Sequence, residues 1–240
     1  MRIAIISDIH GNRTAFEAVL ADLRQTAPDL ILHGGDLSDS GSSPVEIVDR
    51  IRDLGWPGVV GNTDEILFNS KSLTDFAANQ SPKLQPMFAV IEEMVDATRE
   101  ALGNDRLSWL SNLPRSHIHQ PIALVHANPE SRWRAPEPQA SDAELETIYR
   151  PLVQPVAIYA HIHRPYIRTL SGLTVANTGS VSLSFDGDRR ASYLLLDNSI
   201  PTIRRVEYDT RNEIQALLES RLPHAEWVAS ILQTASPQMP

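Results

Sequence analysis

The chain has 240 residues, 42% hydrophobic and 21% charged, an ordinary globular usage that suits a single domain over residues 1–240. Its formal charge of −9 argues against a long nucleic acid as partner, because contacts to a phosphate backbone need a basic surface. There is no cysteine, which excludes disulfides, thiolate metal sites and a cysteine nucleophile, and leaves His, Asp, Glu and Asn as the only metal ligands.

Residues 2–7 (RIAIIS) are short, apolar and β-branched, and read as a buried strand. A helix follows with Phe16, Val19, Leu20 and Leu23 on one face. The next strand is 29–33. Pro44 opens a second helix carrying Ile47, Val48 and Ile51, and 57–60 reads as a third short strand. Strand, helix, strand, helix, strand is the pattern of a parallel α/β sheet. A helical insertion is expected over about 64–113, in two pieces at 86–102 and 105–113. Strands are expected at 116–119, 121–126, 155–160, 165–170, 173–177, 191–197 and 201–207, with 164–208 arranged as antiparallel hairpins and a turn at Ser171-Gly172. Two amphipathic helices close the chain over about 210–234, and the last seven residues are expected to fray. No apolar stretch is long enough to span a bilayer and no cationic leader precedes the first strand. A cytoplasmic protein without a membrane partner is the expectation, with monomer and homo-oligomer both open.

Five segments share one layout, an apolar run ending in metal-capable side chains. They end at Asp8 and His10, at Asp36, at Asn62 and Asp64, at His126, and at His161 and His163. Ligands of an α/β sheet collect at the carboxyl ends of its strands, so these clusters are expected on one rim. Two carboxylates, one amide and four imidazoles suit Mn, Fe, Zn, Ni or Co better than Mg or Ca. Seven donors exceed one tetrahedral site and match two metals sharing a carboxylate.

Asp-x-His, Gly-Gly-Asp, Gly-Asn-x-Asp, a strand-terminal His and His-x-His, in that order, resemble the calcineurin-like metallophosphoesterase superfamily. The segments SDIHGN, GNTDE, NTGSV, DGDRRASYLLLD and RRVEYD resemble its small bacterial and archaeal phosphodiesterase branch, over roughly residues 1–208. The resemblance implies a four-layer α/β/β/α sandwich of two mixed sheets flanked by helices. It implies two divalent metals, Mn first among the candidates. Asp8, His10 and His163 would hold one metal, Asn62, His126 and His161 the other, and Asp36 would bridge them. The metals would lie ~3.5–4 Å apart with a bridging hydroxide that attacks phosphorus. The implied activity is hydrolysis of a small phosphodiester. A phosphomonoesterase, a protein or dinucleoside-polyphosphate phosphatase, and a non-catalytic protein-binding scaffold of the same fold are the alternatives. Asn12 and Asn62 are candidates to bind substrate, and Asn12 is also a candidate to support the ligands from behind. Asp64 is expected to orient His126 or His10 from behind.

Three departures from the family pattern bear on substrate choice. Thr63 stands where the family often has a His that steadies the transition state or protonates the leaving group, so the proton donor is left unassigned. Ala160 stands for the glycine of Gly-His-x-His. Residues 126–129 (HANP) and NTGSV stand for His-Gly-Ser-Pro and Asn-Pro-Gly-Ser-Val. His117 and His119 also have ligand spacing, but a hairpin would carry them to the opposite rim. His33 reads as a packing or hydrogen-bonding residue. Trp133, between Arg132 and Arg134, either stacks on a substrate base or covers the core, and Arg189 and Arg190 either meet phosphate or stay solvated.

Overall fold

A computed structural model describes all 240 residues. Side-chain alternation along β1 (Arg2–Ile6) decides how the layers meet: Ile3 and Ile5 pack to one side, Ala4 and Ile6 to the other. α1 (Arg13–Thr26) buries Phe16, Val19, Leu20 and Leu23 as its period demands, and β2 (Leu30–His33) returns parallel to β1. α2 (Pro44–Leu54) begins on its proline and ends before Gly55 in the left-handed conformation. The insertion forms α3 (Asn62–Phe68), α4 (Lys71–Ala77) and α5 (Gln85–Ser111). Gly103, at φ 68 and ψ 168, breaks α5 between the two expected pieces.

The second half supplies β3 (Ser116–His119), β4 (Ile122–Val125), α6 (Asp142–Tyr149), β5 (Val156–Tyr159), β6 (Tyr166–Leu170) and β7 (Leu173–Asn177). β8 (Ala191–Asp197), β9 (Ile200–Val206), α7 (Thr210–Glu219) and α8 (Ala225–Thr234) complete it. Two mixed sheets result, ordered β2-β1-β8-β9 and β3-β4-β5-β7-β6. Ile3, Ile5, Leu32, Ile122, Leu124, Val156, Ile158 and Leu194 fill the space between them. The opposite faces pack on α1, α2 and α5 on one side, and on Leu145 and Tyr149 of α6 on the other. The architecture is the expected α/β/β/α sandwich. No helix is long and apolar enough to cross a membrane.

Three expectations give way. Residues 57–60 form only a parallel bridge between Gly58 and His33, because β2 ends there and its chain turns away through Gly35 at φ +87. Val60 N–H then donates to Pro114 O. α6 was not expected, although Ser141 accepts from Glu144 N–H at its start. The carboxyl-terminal tail does not fray: Trp227 Nε1 donates to Gln238 O at 2.9 Å, and Gly187 N to Ala235 O at 2.9 Å.

Candidate metal centre

The seven candidate ligands lie where apolar strands stop. Asp8 and His10 follow β1, Asp36 follows β2, His126 follows β4, His161 and His163 follow β5, and Asn62 opens α3. Five of them leave their strands in the left-handed region: Asp8 (φ 51), His10 (47), Asp36 (54), His161 (71) and His163 (55). Asp and His tolerate this region better than β-branched residues, and it turns each chain sharply over the sheet edge. The first two turns are locked together, with Asp8 N donating to Gly35 O at 3.0 Å and His10 N to Asp36 O at 3.1 Å. Gly61 must lack a side chain, since a Cβ there would lie 2.0 Å from Asp36 Oδ1.

The turns assemble two groups of donors that share Asp36. Asp8, His10, Asp36 and His163 form one, and Asp36, His126 and His161 the other, each with its ligand atoms within 4.8 Å of one another. In the first, His10 Nε2 lies 3.3 Å from His163 Nε2 and 3.8 Å from Asp36 Oδ2, and His163 Nε2 lies 3.2 Å from Asp8 Oδ1. In the second, Asn62 Oδ1 lies 2.9 Å from His126 Nε2 and 2.8 Å from His161 Nδ1, and His126 Nε2 lies 3.4 Å from Asp36 Oδ2. Six of the seven residues are buried; His161 is half-buried and marks the open side.

Comparison with known proteins assigns the chain to a family. Residues 1–199 match the calcineurin-like phosphoesterase superfamily domain. The chain belongs to the calcineurin-like phosphoesterase superfamily. It is 30% identical to an uncharacterized protein of the archaeon Methanocaldococcus jannaschii, over 96% of both chains. A crystal structure of a metallophosphoesterase from Sphaerobacter thermophilus superposes with a TM-score of 0.79 at 26% identity, covering 98% of this chain and 100% of that one. A hypothetical protein from Pyrococcus horikoshii has the same fold, with a TM-score of 0.83 at 19% identity over 99% of each chain.

Three of the metallophosphoesterase's histidines are fixed by backbone carbonyls. Nδ1–H of His10 donates to Asp39 O (3.0 Å), that of His126 to Gly34 O (2.7 Å) and that of His163 to Leu183 O (2.5 Å). Each bond turns Nε2 towards the centre, where the neutral ring presents a lone pair. Burial works against ionisation of Asp8 and Asp36, but His163 beside the first and His126 beside the second outweigh it, and both carboxyls lie below their ordinary value. Burial also opposes charge on His126, yet Asp36 raises it to about 9. Burial keeps His10 below its ordinary value and, helped by His126, takes His161 to about 4.

Two expected roles change. Asp64 touches neither His126 nor His10. Its carboxylate accepts the backbone N–H groups of Asp36 (2.8 Å), Leu37 (2.9 Å) and Gly61 (3.0 Å), and so clamps the turn that carries Asp36. Asn12 is buried as the cap of α1, accepting from Ala15 N and donating to Ser182 Oγ, so its amide is spent on structure and not offered to substrate. The sequence reading also missed Phe185, whose ring stacks on His163 at 4.6 Å; no spacing in the sequence places it there.

The remaining candidates lie outside the centre. His117 and His119 sit on the edge strand β3, paired to Leu124 and Ile122. His33 is fully buried beside Trp109, with neither ring nitrogen hydrogen-bonded. Trp133 stacks on Phe76 at 4.7 Å and donates Nε1–H to Glu65, which also pairs with Arg132. These contacts tie the loop after His126 to α3 and α4, which favours the covering role over base stacking. Arg190 pairs with Asp188 at the surface.

Proposed function

We propose that this family member hydrolyses phosphodiester bonds with two divalent metals held by the seven residues. The carrying observation is the facing of lone pairs. With Nδ1–H donated to carbonyls, Nε2 of His10 and Nε2 of His163 confront each other at 3.3 Å. Acceptors so placed repel unless a cation lies among them, and the donor set suits one. Asp8, His10 and His163 would hold the first metal, Asn62, His126 and His161 the second, and Asp36 both. The mixed set of imidazole, carboxylate and amide donors admits Mn, the first candidate from the family resemblance, and also Fe, Zn, Ni and Co. When bound, such a pair polarises the phosphoryl oxygens and supplies a water acidic enough to attack phosphorus near neutral pH.

The chain's own residues prepare that chemistry. Thr63 N–H donates to Asp36 Oδ1 at 2.9 Å, which leaves Oδ2 directed at both histidine groups. Asn62 turns Oδ1 to His126 and His161, leaving its NH₂ to donate to a phosphoryl oxygen. No lysine or arginine hydrogen-bonds any of the seven residues, so no side-chain cation stands among them for the second charge of a monoester. A singly charged diester is the better match.

The test is hydrolysis of bis(p-nitrophenyl) phosphate by purified protein with Mn²⁺. Asp36→Asn and His126→Ala are each expected to abolish turnover. Wild-type turnover in either variant would overturn the two-metal reading.

A further inference from the structure

Beneath Asp8 lie two hydroxyls that this reading leaves unused. Ser7 ends the β1 run in the first sheet, and Thr178 follows β7 in the second; both are fully buried. Ser7 Oγ lies 2.5 Å from Asp8 Oδ2 and 2.6 Å from Thr178 Oγ1. A carboxylate only accepts, so the single Ser7 hydrogen goes to Asp8. Thr178 must therefore donate to Ser7. Its other acceptors, Tyr159 O and Gly179 O, are both 3.4 Å away and compete poorly. The bonds run one way, from Thr178 to Ser7 to Asp8.

We propose that this pair of hydroxyls is a positioning relay that reserves Asp8 Oδ1 for metal and thereby sets the affinity of the first metal group. The inference rests on the two-metal reading above. Asp8 Oδ2 is held from behind, while Oδ1 faces His163 Nε2 at 3.2 Å and accepts His161 N–H at 3.3 Å. Without the relay the carboxylate could swing about its terminal torsion, which is broad and soft. Both hydroxyls stand on fixed backbone. Thr178 N donates to Tyr159 O at 3.1 Å and its carbonyl accepts Ser192 Oγ at 2.8 Å, while Ser7 O accepts Val181 N at 3.1 Å. The relay thus transmits the position of the second sheet to a ligand carried by the first. In the family pattern that the sequence resembles, proline stands at the place of Thr178 and has no hydroxyl.

Metal-stripped protein titrated with Mn²⁺ by calorimetry decides the matter. Ser7→Ala is expected to weaken the Asp8-containing site roughly 10–100-fold, the usual consequence of losing a partner behind a ligand. Thr178→Val, nearly isosteric, is expected to weaken it roughly 3–10-fold, the scale of one neutral hydrogen bond, and Thr178→Ser is expected to restore it. Because Thr178 acts only through Ser7, the double variant should bind no more weakly than Ser7→Ala alone. Additive losses would overturn the relay, as would wild-type affinity in Thr178→Val with only a lowered melting temperature. If Ser7→Ala fails to fold, the comparison of Thr178→Val with Thr178→Ser still decides. Absence of Mn²⁺ binding by the wild-type chain would overturn the metal reading and the relay with it, an outcome distinct from two bound ions with unaltered variants.

Discussion

Thr63 does its visible work through its backbone, holding Asp36 Oδ1, while its hydroxyl is buried with no partner. A histidine in its place would put an imidazole beside the leaving group. General-acid assistance is worth ~10²–10⁴-fold, and poor leaving groups need it most. Thr63→His is therefore expected to raise activity on p-nitrophenyl phosphate relative to the bis ester; an unchanged ratio of kcat/KM would remove Thr63 from the explanation of substrate choice. Asp64 offers a second contrast. Its carboxyl, raised to about 6 by burial and by Asp36, collects three N–H donors. Asp64→Asn would set an NH₂ against one of them and loosen the Asp36 turn, so Mn²⁺ affinity should fall roughly 10–100-fold with the fold retained. Unaltered affinity would mean that the turn holds itself. The seven ligands were legible because they close apolar runs, six of them beside a glycine or a second ligand and His126 by the run alone. The partners behind them were not. Gly34 O, Asp39 O and Leu183 O are backbone atoms, and Asp64 meets Asp36 N–H from 28 residues away. No side-chain pattern encodes such contacts.

Strands and helices were readable where the period is clear, as in α1 with its apolar face or in the two pieces of α5 that part at Gly103. They were less so where tertiary context decides. The 57–60 segment has strand composition, but its neighbour ends after one bridge. α6 is short, and only the Ser141-to-Glu144 spacing announced it. β2 carries a further consequence in His33, whose ordinary value of 6.5 is lowered to about 3, by burial first and then by His117. The ring is neutral in the fold, whereas the unfolded chain takes up a proton below pH 6.5. Stability is therefore lost as pH falls from 6.5 towards 3, by up to about 1.4 kcal/mol per pH unit from this group. His33→Leu should remove that share, seen as a shallower pH dependence of urea unfolding between pH 7 and 4. Equal slopes in the two proteins would contradict it.

Across the whole molecule, the site joins two sheets whose facing sides meet mainly through apolar packing. Asp8, His10 and Asp36 hang from the first sheet, and His126, His161 and His163 from the second. A metal held by both is a staple between sheets, and it binds the folded chain alone, since the unfolded chain scatters the donors. Mn²⁺ at about 100 times its dissociation constant should add ~2.7 kcal/mol of stability, a rise of about 5–10 °C in Tm for a domain of this size. Chelation should reverse the rise, and Asp36→Asn should blunt it. A Tm indifferent to Mn²⁺ would mean that the groups do not bind it. The two-sheet architecture was legible only through the family resemblance, since strand order is set by pairings between β1 and β8 that lie far apart in sequence.

The left-handed turns bear on how such a site is inherited. An L residue there sits about 1–2 kcal/mol above its right-handed conformation. Five such residues together store on the order of 5 kcal/mol, comparable to the net stability of a whole domain. In a lineage released from selection for binding, glycine or asparagine at positions 8, 10, 36, 161 and 163 relaxes the chain, so decay of the site is downhill. His126 and Asn62, free of positive φ, gain nothing by changing and should be the last traces of the enzyme to disappear.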